Sequence, residues 1–255
     1  MIEQARKQAQ RLRVSGAEIA ASVPAREFNR LLQLPRDREL EGDLRNRADG
    51  ARAWYAQHGD PFVAFNRMDV HHISEDTIQL ANNVELHSRV LARRLSEGQA
   101  HALIVMAASA GPTASQEVAS LWKLERPDEA FFLDRFAVGV TERLIFWTSN
   151  TLCREGEAAN ETMMPHLSPG CGNWDIEDQH KVMSLLSGGD RKLGPLQLME
   201  TGALHPQHSV LAAMGLTHLK FAVTPERLCR SCDLSPCAFR RAPYGDDVLR
   251  PLEVQ

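Results

Sequence analysis

The sequence predicts a mixed α/β or α+β domain led by helices, on three observations. Ala102 to Ala108 is the most apolar run in the chain, bounded by Gly98 and by Gly111-Pro112. A short aliphatic run between turn residues suits a buried central strand. Glu129 to about Asn150 carries Phe131, Phe132, Val138, Val140, Leu144, Ile145 and Phe146, which suits a long, mostly buried helix. Strand-like and helix-like stretches alternate beyond residue 61, whereas only helical patterns precede it.

In chain order, Ile2 to Leu12 reads as a short polar helix. Ala25 to Leu32 reads as a second, with Pro24 suited to its first turn. Asp37 to Gln57 is a longer helix, because Leu40, Leu44, Ala48, Ala51 and Tyr55 recur at helical spacing; His58-Gly59-Asp60-Pro61 ends it. Phe62 to Val70 alternates as a strand, and Ile73 to Leu80 is a second candidate. His87 to Leu95 and Thr113 to Leu124 read as helices. Ile176 to Leu186 is the helix after the polar link, and Leu196 to Met199 is a strand. Ser209 to Ala213 and Leu219 to Val223 are expected to form a hairpin.

Bulk properties narrow the function. A chain of 255 residues with 43% hydrophobic content builds one large domain, or a core with a helical appendage. The net charge of -4, with no dominant basic stripe, gives no nucleic-acid footprint. No apolar run reaches the roughly 20 residues that span a bilayer, and Met1 to Arg13 is polar, so a cytoplasmic protein without a membrane partner is expected. Phosphate-cradling glycine loops and the Gly-x-Ser-x-Gly elbow are missing, so hydride transfer, phosphoryl transfer and serine hydrolysis lack support.

Four groups carry candidate chemistry. His166-Leu167-Ser168-Pro169-Gly170-Cys171-Gly172-Asn173-Trp174 reads as a tight turn with bare backbone, feeding a helix capped by Asn173 or Asp175. Asp134 and Glu142 lie eight residues apart in the long helix; their directions differ by roughly 80°, so both can border one cleft, or both can be solvated charges beside Arg135 and Arg143. Glu200, His205 and His208 match no metal spacing and read as polar loop residues. Cys229-x-x-Cys232-x-x-x-x-Cys237 brings three thiols near one another. They suit a zinc ion or iron–sulfur cluster, with Cys171, Cys153, a histidine or a bound molecule as fourth ligand, or else reduced structural or redox thiols.

Together these pieces resemble the activation (reactivation) domain of vitamin B12-dependent methionine synthase, especially stand-alone relatives associated with corrinoid methyltransferases. The resemblance spans roughly residues 26 to 241. It rests on Ala102 to Ala108 with Gly111, Asp134 and Glu142 in the long helix, Ser168-Pro169-Gly170 before a helix, and the cysteine tail. It implies a C-shaped α+β domain with a central twisted antiparallel sheet and flanking helices. A helical segment at 1–60 would precede a core at 61–226 and a cysteine-containing tail at 227–255.

The resemblance further implies that S-adenosylmethionine binds in a shallow groove at Asp134, Glu142, His166, Pro169, Gly170 and Cys171, while metal on Cys229, Cys232 and Cys237 rests on their spacing alone. The implied activity is reductive reactivation of a cobalamin held by a corrinoid protein or cobalamin-dependent methyltransferase. Flavodoxin or ferredoxin would be the electron donor. The alternative is a non-catalytic relative that binds a corrinoid protein or carries a cysteine-ligated metal or iron–sulfur centre. His166 stands where the family motif has arginine, and Cys171 where it has tyrosine. Losing a charge-assisted carboxylate grip is worth about 1.5–3 kcal/mol.

Overall fold

The structure, a computed structural model, describes residues 9–221, 224–230, 232 and 235–245. Strand β1 (Gln10–Leu12) is followed by helices α1 (Gly16–Ser22), α2 (Ala25–Leu31) and α3 (Gly42–His58). Next come β2 (Phe62–Ile73), β3 (Thr77–Leu80), β4 (Glu85–His87), α4 (Arg89–Glu97), β5 (Ala102–Ser109), α5 (Pro112–Lys123) and the 30-residue α6 (Pro127–Gly156). The chain continues through β6 (Thr162–Met163), α7 (Asp178–Ser187), β7 (Lys192–Leu193), β8 (Leu196–Leu198), β9 (Leu204–His205), β10 (Ser209–Thr217) and α8 (Pro225–Arg230).

A curled antiparallel sheet of order β4-β3-β2-β5-β10-β6, with β1 also paired to β2, forms the centre. β5 lies between β2 and β10, and all eight of its residues are buried. This explains its unbroken apolar sequence: both faces need cover. Ala102, Ile104, Met106 and Ala108 point into one core with Phe28, Tyr55 and Phe136, while Leu103, Val105 and Ala107 point into a second with Trp174, Val182 and Leu186. Successive side chains on a strand face opposite ways, so one strand serves both cores. Helices α1, α2, α3, α5 and α6 cover the first face, and α4 and α7 the second.

Several expectations are corrected here. Gln10 to Leu12 is a strand paired with Val63 to Phe65, not the end of a helix; residues 1–8 lie outside the described residues. Among the described residues, the hairpin of Ser209 to Ala213 with Leu219 to Val223 is not formed: β10 runs on to Thr217, pairing with β5 over Ser209 to Leu216 and with β6 at Leu216 and Thr217. Leu219 to Phe221 carry no strand, and residues 222 and 223 lie outside the described residues. Among the described residues, no helix is long and apolar enough to cross a membrane.

Candidate functional site

The turn ahead of α7 has the geometry its sequence dictates. The Cys171 N–H donates to the Ser168 carbonyl at 3.0 Å, with Gly170 at φ +89°. Pro at the second position and a positive-φ Gly at the third define a type II turn. The Leu167 N–H donates to the Ala213 carbonyl at 2.9 Å, which fixes the entry of the turn to β10. Trp174, 1% exposed, anchors the exit by donating from Nε1 to Asp178 Oδ2 at 2.9 Å. Asp175, not Asn173, caps the following turn by accepting from the Glu177 N–H at 3.0 Å.

Across from this turn stands α6. Gly139 lets α2 approach closely: a Cβ there would meet Leu31 Cδ1 at 3.1 Å. Glu142, three residues on, lies over the same contact, because positions i and i+3 share a helix face. Its Oε2 accepts from Arg30 Nη2 at 2.5 Å and from Arg241 Nη2 at 2.6 Å. Arg241 also donates from Nε to Glu27 Oε2 at 2.6 Å, and Arg30 does so at 2.9 Å. Burial alone would raise the Glu27 carboxyl, but Arg241 and Arg30 outweigh it and hold it below its ordinary range. Burial likewise opposes the charge on Arg241, and Glu142 and Glu27 more than compensate.

Between these walls lies a cavity of about 260 Å³. His166, Leu167, Ser168, Cys171 and Gly172 line it from the turn, and Glu142, Ile145 and Phe146 from α6. Arg94 of α4 and Cys229, Cys232 and Arg241 of the C-terminal segment close it. His166 keeps an edge toward the cavity while protein surrounds the rest of its ring. Burial, reinforced by the charges of Arg94 and Arg241, pushes its pKa down to about 4, so it is neutral at pH 7. A roomier hollow of about 570 Å³ lies between α2 and α3. Among its guanidiniums, Arg26 and Arg36 pair with Glu226, Arg45 lies 3.7 Å from Asp49, and Arg52 donates to the Ala20 and Val23 carbonyls.

The structure thus brings Glu142, His166 and Cys171 to one cavity. Pro169 and Gly170 shape the turn without lining it. Asp134 does not join them: its Oδ1 is 2.9 Å from His208 Nε2 and accepts from Gln207 Nε2 at 3.1 Å. The two carboxylates of α6 therefore serve different neighbours. Glu200, 93% exposed, is 3.7 Å from Arg191, away from buried His208, so the loop residues form no site together.

Cys229 and Cys232 reach the cavity, and Cys237 does not line it. Among the described residues, no three His, Cys, Asp or Glu side chains are grouped to hold a metal ion, so zinc or an iron–sulfur cluster finds no support here. Arg94, Arg30, Glu27 and Arg241 escaped the sequence reading. Nothing in the Ala92-Arg93-Arg94 run marks it as a site, and the pairing of Arg241 with Glu142 crosses 99 positions.

No family model matches the chain, and no curated protein matches it. A solved structure described as the MetH reactivation domain bound to AdoHcy superposes with a TM-score of 0.62 at 13% identity, covering 83% of this chain and 79% of that one. The fold of this chain is accordingly that of a reactivation domain: a curled antiparallel sheet flanked by helices.

Proposed function

We propose that this chain reactivates a corrinoid protein or cobalamin-dependent methyltransferase and binds S-adenosylmethionine between the Ser168–Cys171 turn and α6. One observation carries the reading. His166, Ser168 and Cys171 meet Glu142 at one cavity, on a fold whose solved counterpart is bound to AdoHcy.

The lining suits the amino-acid end of such a ligand. Arg94 and Arg241 supply positive charge for its carboxylate. Both donors to Glu142 converge on Oε2, which leaves Oε1 available to a ligand ammonium or hydroxyl. Ile145, Phe146 and Leu167 offer an apolar wall to its carbons. A volume of about 260 Å³ falls just below the range of roughly 300–1,000 Å³ usual for small-molecule sites, so the rest of the ligand extends through the open side. The cobalamin would be held by the partner protein and would supply the methyl-accepting centre. Flavodoxin or ferredoxin would be the electron donor.

Calorimetry with S-adenosylhomocysteine and S-adenosylmethionine tests the reading. Saturable heat is expected with Kd below about 1 mM, or roughly -4 kcal/mol. No heat at millimolar ligand would overturn it. A second reading, a relative that docks on a corrinoid protein without binding the methyl donor, is favoured by the double engagement of Glu142. It predicts co-purification with a corrinoid protein and no heat with either ligand.

A further inference from the structure

The cysteines of the C-terminal segment remain unexplained by ligand binding, and their surroundings are built in detail. The Cys232 N–H donates to the Cys229 carbonyl at 3.4 Å, just beyond the end of α8. Residues joined by such an i to i+3 hydrogen bond lie within about 7 Å Cα to Cα, and disulfides bridge Cα atoms about 4.4–6.8 Å apart. Arg240 holds both cysteines with the two arms of its guanidinium: Nη1 donates to the Cys229 carbonyl at 2.7 Å and Nη2 to the Cys232 carbonyl at 2.9 Å. The next residue, Arg241, donates its backbone N–H to Cys229 Sγ at 3.2 Å. Both cysteines open onto the 260 Å³ cavity, so a small reactant can reach them.

We propose that Cys229 and Cys232 are a reversible dithiol–disulfide pair that exchanges with small disulfides entering the cavity. Arg240 holds the two cysteines together for closure, and the Arg241 N–H supports negative charge developing on Cys229. Cys229 attacks one sulfur of the incoming disulfide and expels the other as a thiol. Cys232 then attacks Cys229 and expels the second thiol. One protein S–S bond forms and one small-molecule S–S bond breaks. The two thiol protons pass to the two released thiols, so the protein is oxidised by two electrons and the reactant is reduced by two. The exchange does not require that the cavity's usual ligand be S-adenosylmethionine. It couples to the cavity all the same, because Arg241 bridges Cys229 to Glu27 and Glu142.

The remaining cysteines provide internal controls. Cys153 Sγ accepts from the Met163 N–H at 3.3 Å, away from the cavity, and Cys237 does not line it. Cys171 is exposed and lines the cavity from the opposite wall, so it is the competing partner for Cys229.

The test uses the full chain equilibrated in glutathione buffers of increasing oxidised fraction, then acid-quenched, alkylated and mapped by mass spectrometry. A Cys229–Cys232 link is expected, with Cys153, Cys171 and Cys237 still alkylated. C232S should trap glutathione on Cys229, with unchanged circular dichroism showing that it folds. R240M should shift the equilibrium about tenfold toward the dithiol, or about 30 mV. No link in fully oxidised buffer, or a Cys171–Cys229 link, would overturn the proposal.

Discussion

Arg241 Nη2 donates to Glu142 Oε2 at 2.6 Å, joining the C-terminal segment to the middle of the longest helix. Arg30 completes the cluster from α2, and its side chain is only 4% exposed. A helix, a neighbouring helix and a distant segment are thus tied at one carboxylate beside the candidate site.

Replacing that carboxylate removes the tie. Glu142→Gln leaves Arg30 and Arg241 facing each other with one fewer counter-charge. Breaking a fully buried pair costs about 3–5 kcal/mol. The Glu142 side chain is 33% exposed, so a loss of about 2 kcal/mol is expected. Thermal unfolding should show a Tm lower by roughly 4–8 °C. An unchanged Tm would mean the cluster contributes no stability.

His166 makes stability depend on pH. Its folded pKa is about 4 against an ordinary value of 6.5. Between these values the unfolded chain binds a proton that the folded chain refuses, so the contribution is complete above pH 6.5 and is lost as pH falls toward 4. The loss is on the order of 2–3 kcal/mol. His166→Gln should flatten this limb in urea titrations at pH 7, 5.5 and 4.5; an equal slope in the variant would refute the assignment.

His166→Arg would place a further guanidinium at the cavity, and the surroundings oppose it. Arg94 and Arg241 already bear on this position. A third guanidinium among them is expected to cost about 2–4 kcal/mol of stability, because the two guanidiniums already at the cavity repel it and the single carboxylate there, Glu142, is already held by Arg30 and Arg241. Urea unfolding with and without S-adenosylhomocysteine measures this. Ligand should recover more stability in the variant than in the parent if its carboxylate sits there.

Asp134 is expected to matter for stability and not for ligand affinity. The hydrogen bond from His208 holds its carboxyl below the ordinary range, against the opposing effect of burial. The depressed value means stability present above the unfolded carboxyl pKa, near 3.9, and lost as pH falls through the folded value. Asp134→Asn should cost about 1–2 kcal/mol at pH 7, with the difference shrinking below pH 4. Ligand titration should give the parent's Kd.

Gly111 holds the entry to α5. Its φ of +92° with ψ of 160° is a region open essentially to glycine alone. A Cβ there would lie 2.0 Å from Asp60 Oδ1, the atom that accepts from Thr113 Oγ1 at 2.6 Å. Gly111→Ala should cost more than about 2 kcal/mol, read by chemical denaturation.

The sequence by itself determined the elements whose cause is local. Ala102 to Ala108 had to be a strand covered on both sides, because its apolar run leaves no face for water. Pro169 and Gly170 set the turn through their own backbone preferences. The apolar residues from Phe131 to Phe146 placed α6, and the resemblance led to the reactivation-domain fold. The tertiary structure alone decided which carboxylate of α6 borders the cavity. Asp134 and Glu142 have the same local chemistry, but His208 meets one while Arg30 and Arg241 meet the other. It also decided that the partner of β10 is β5 and not a following strand. Such choices depend on contacts between residues far apart in the chain, where no spacing rule applies and only the packed geometry selects the partner.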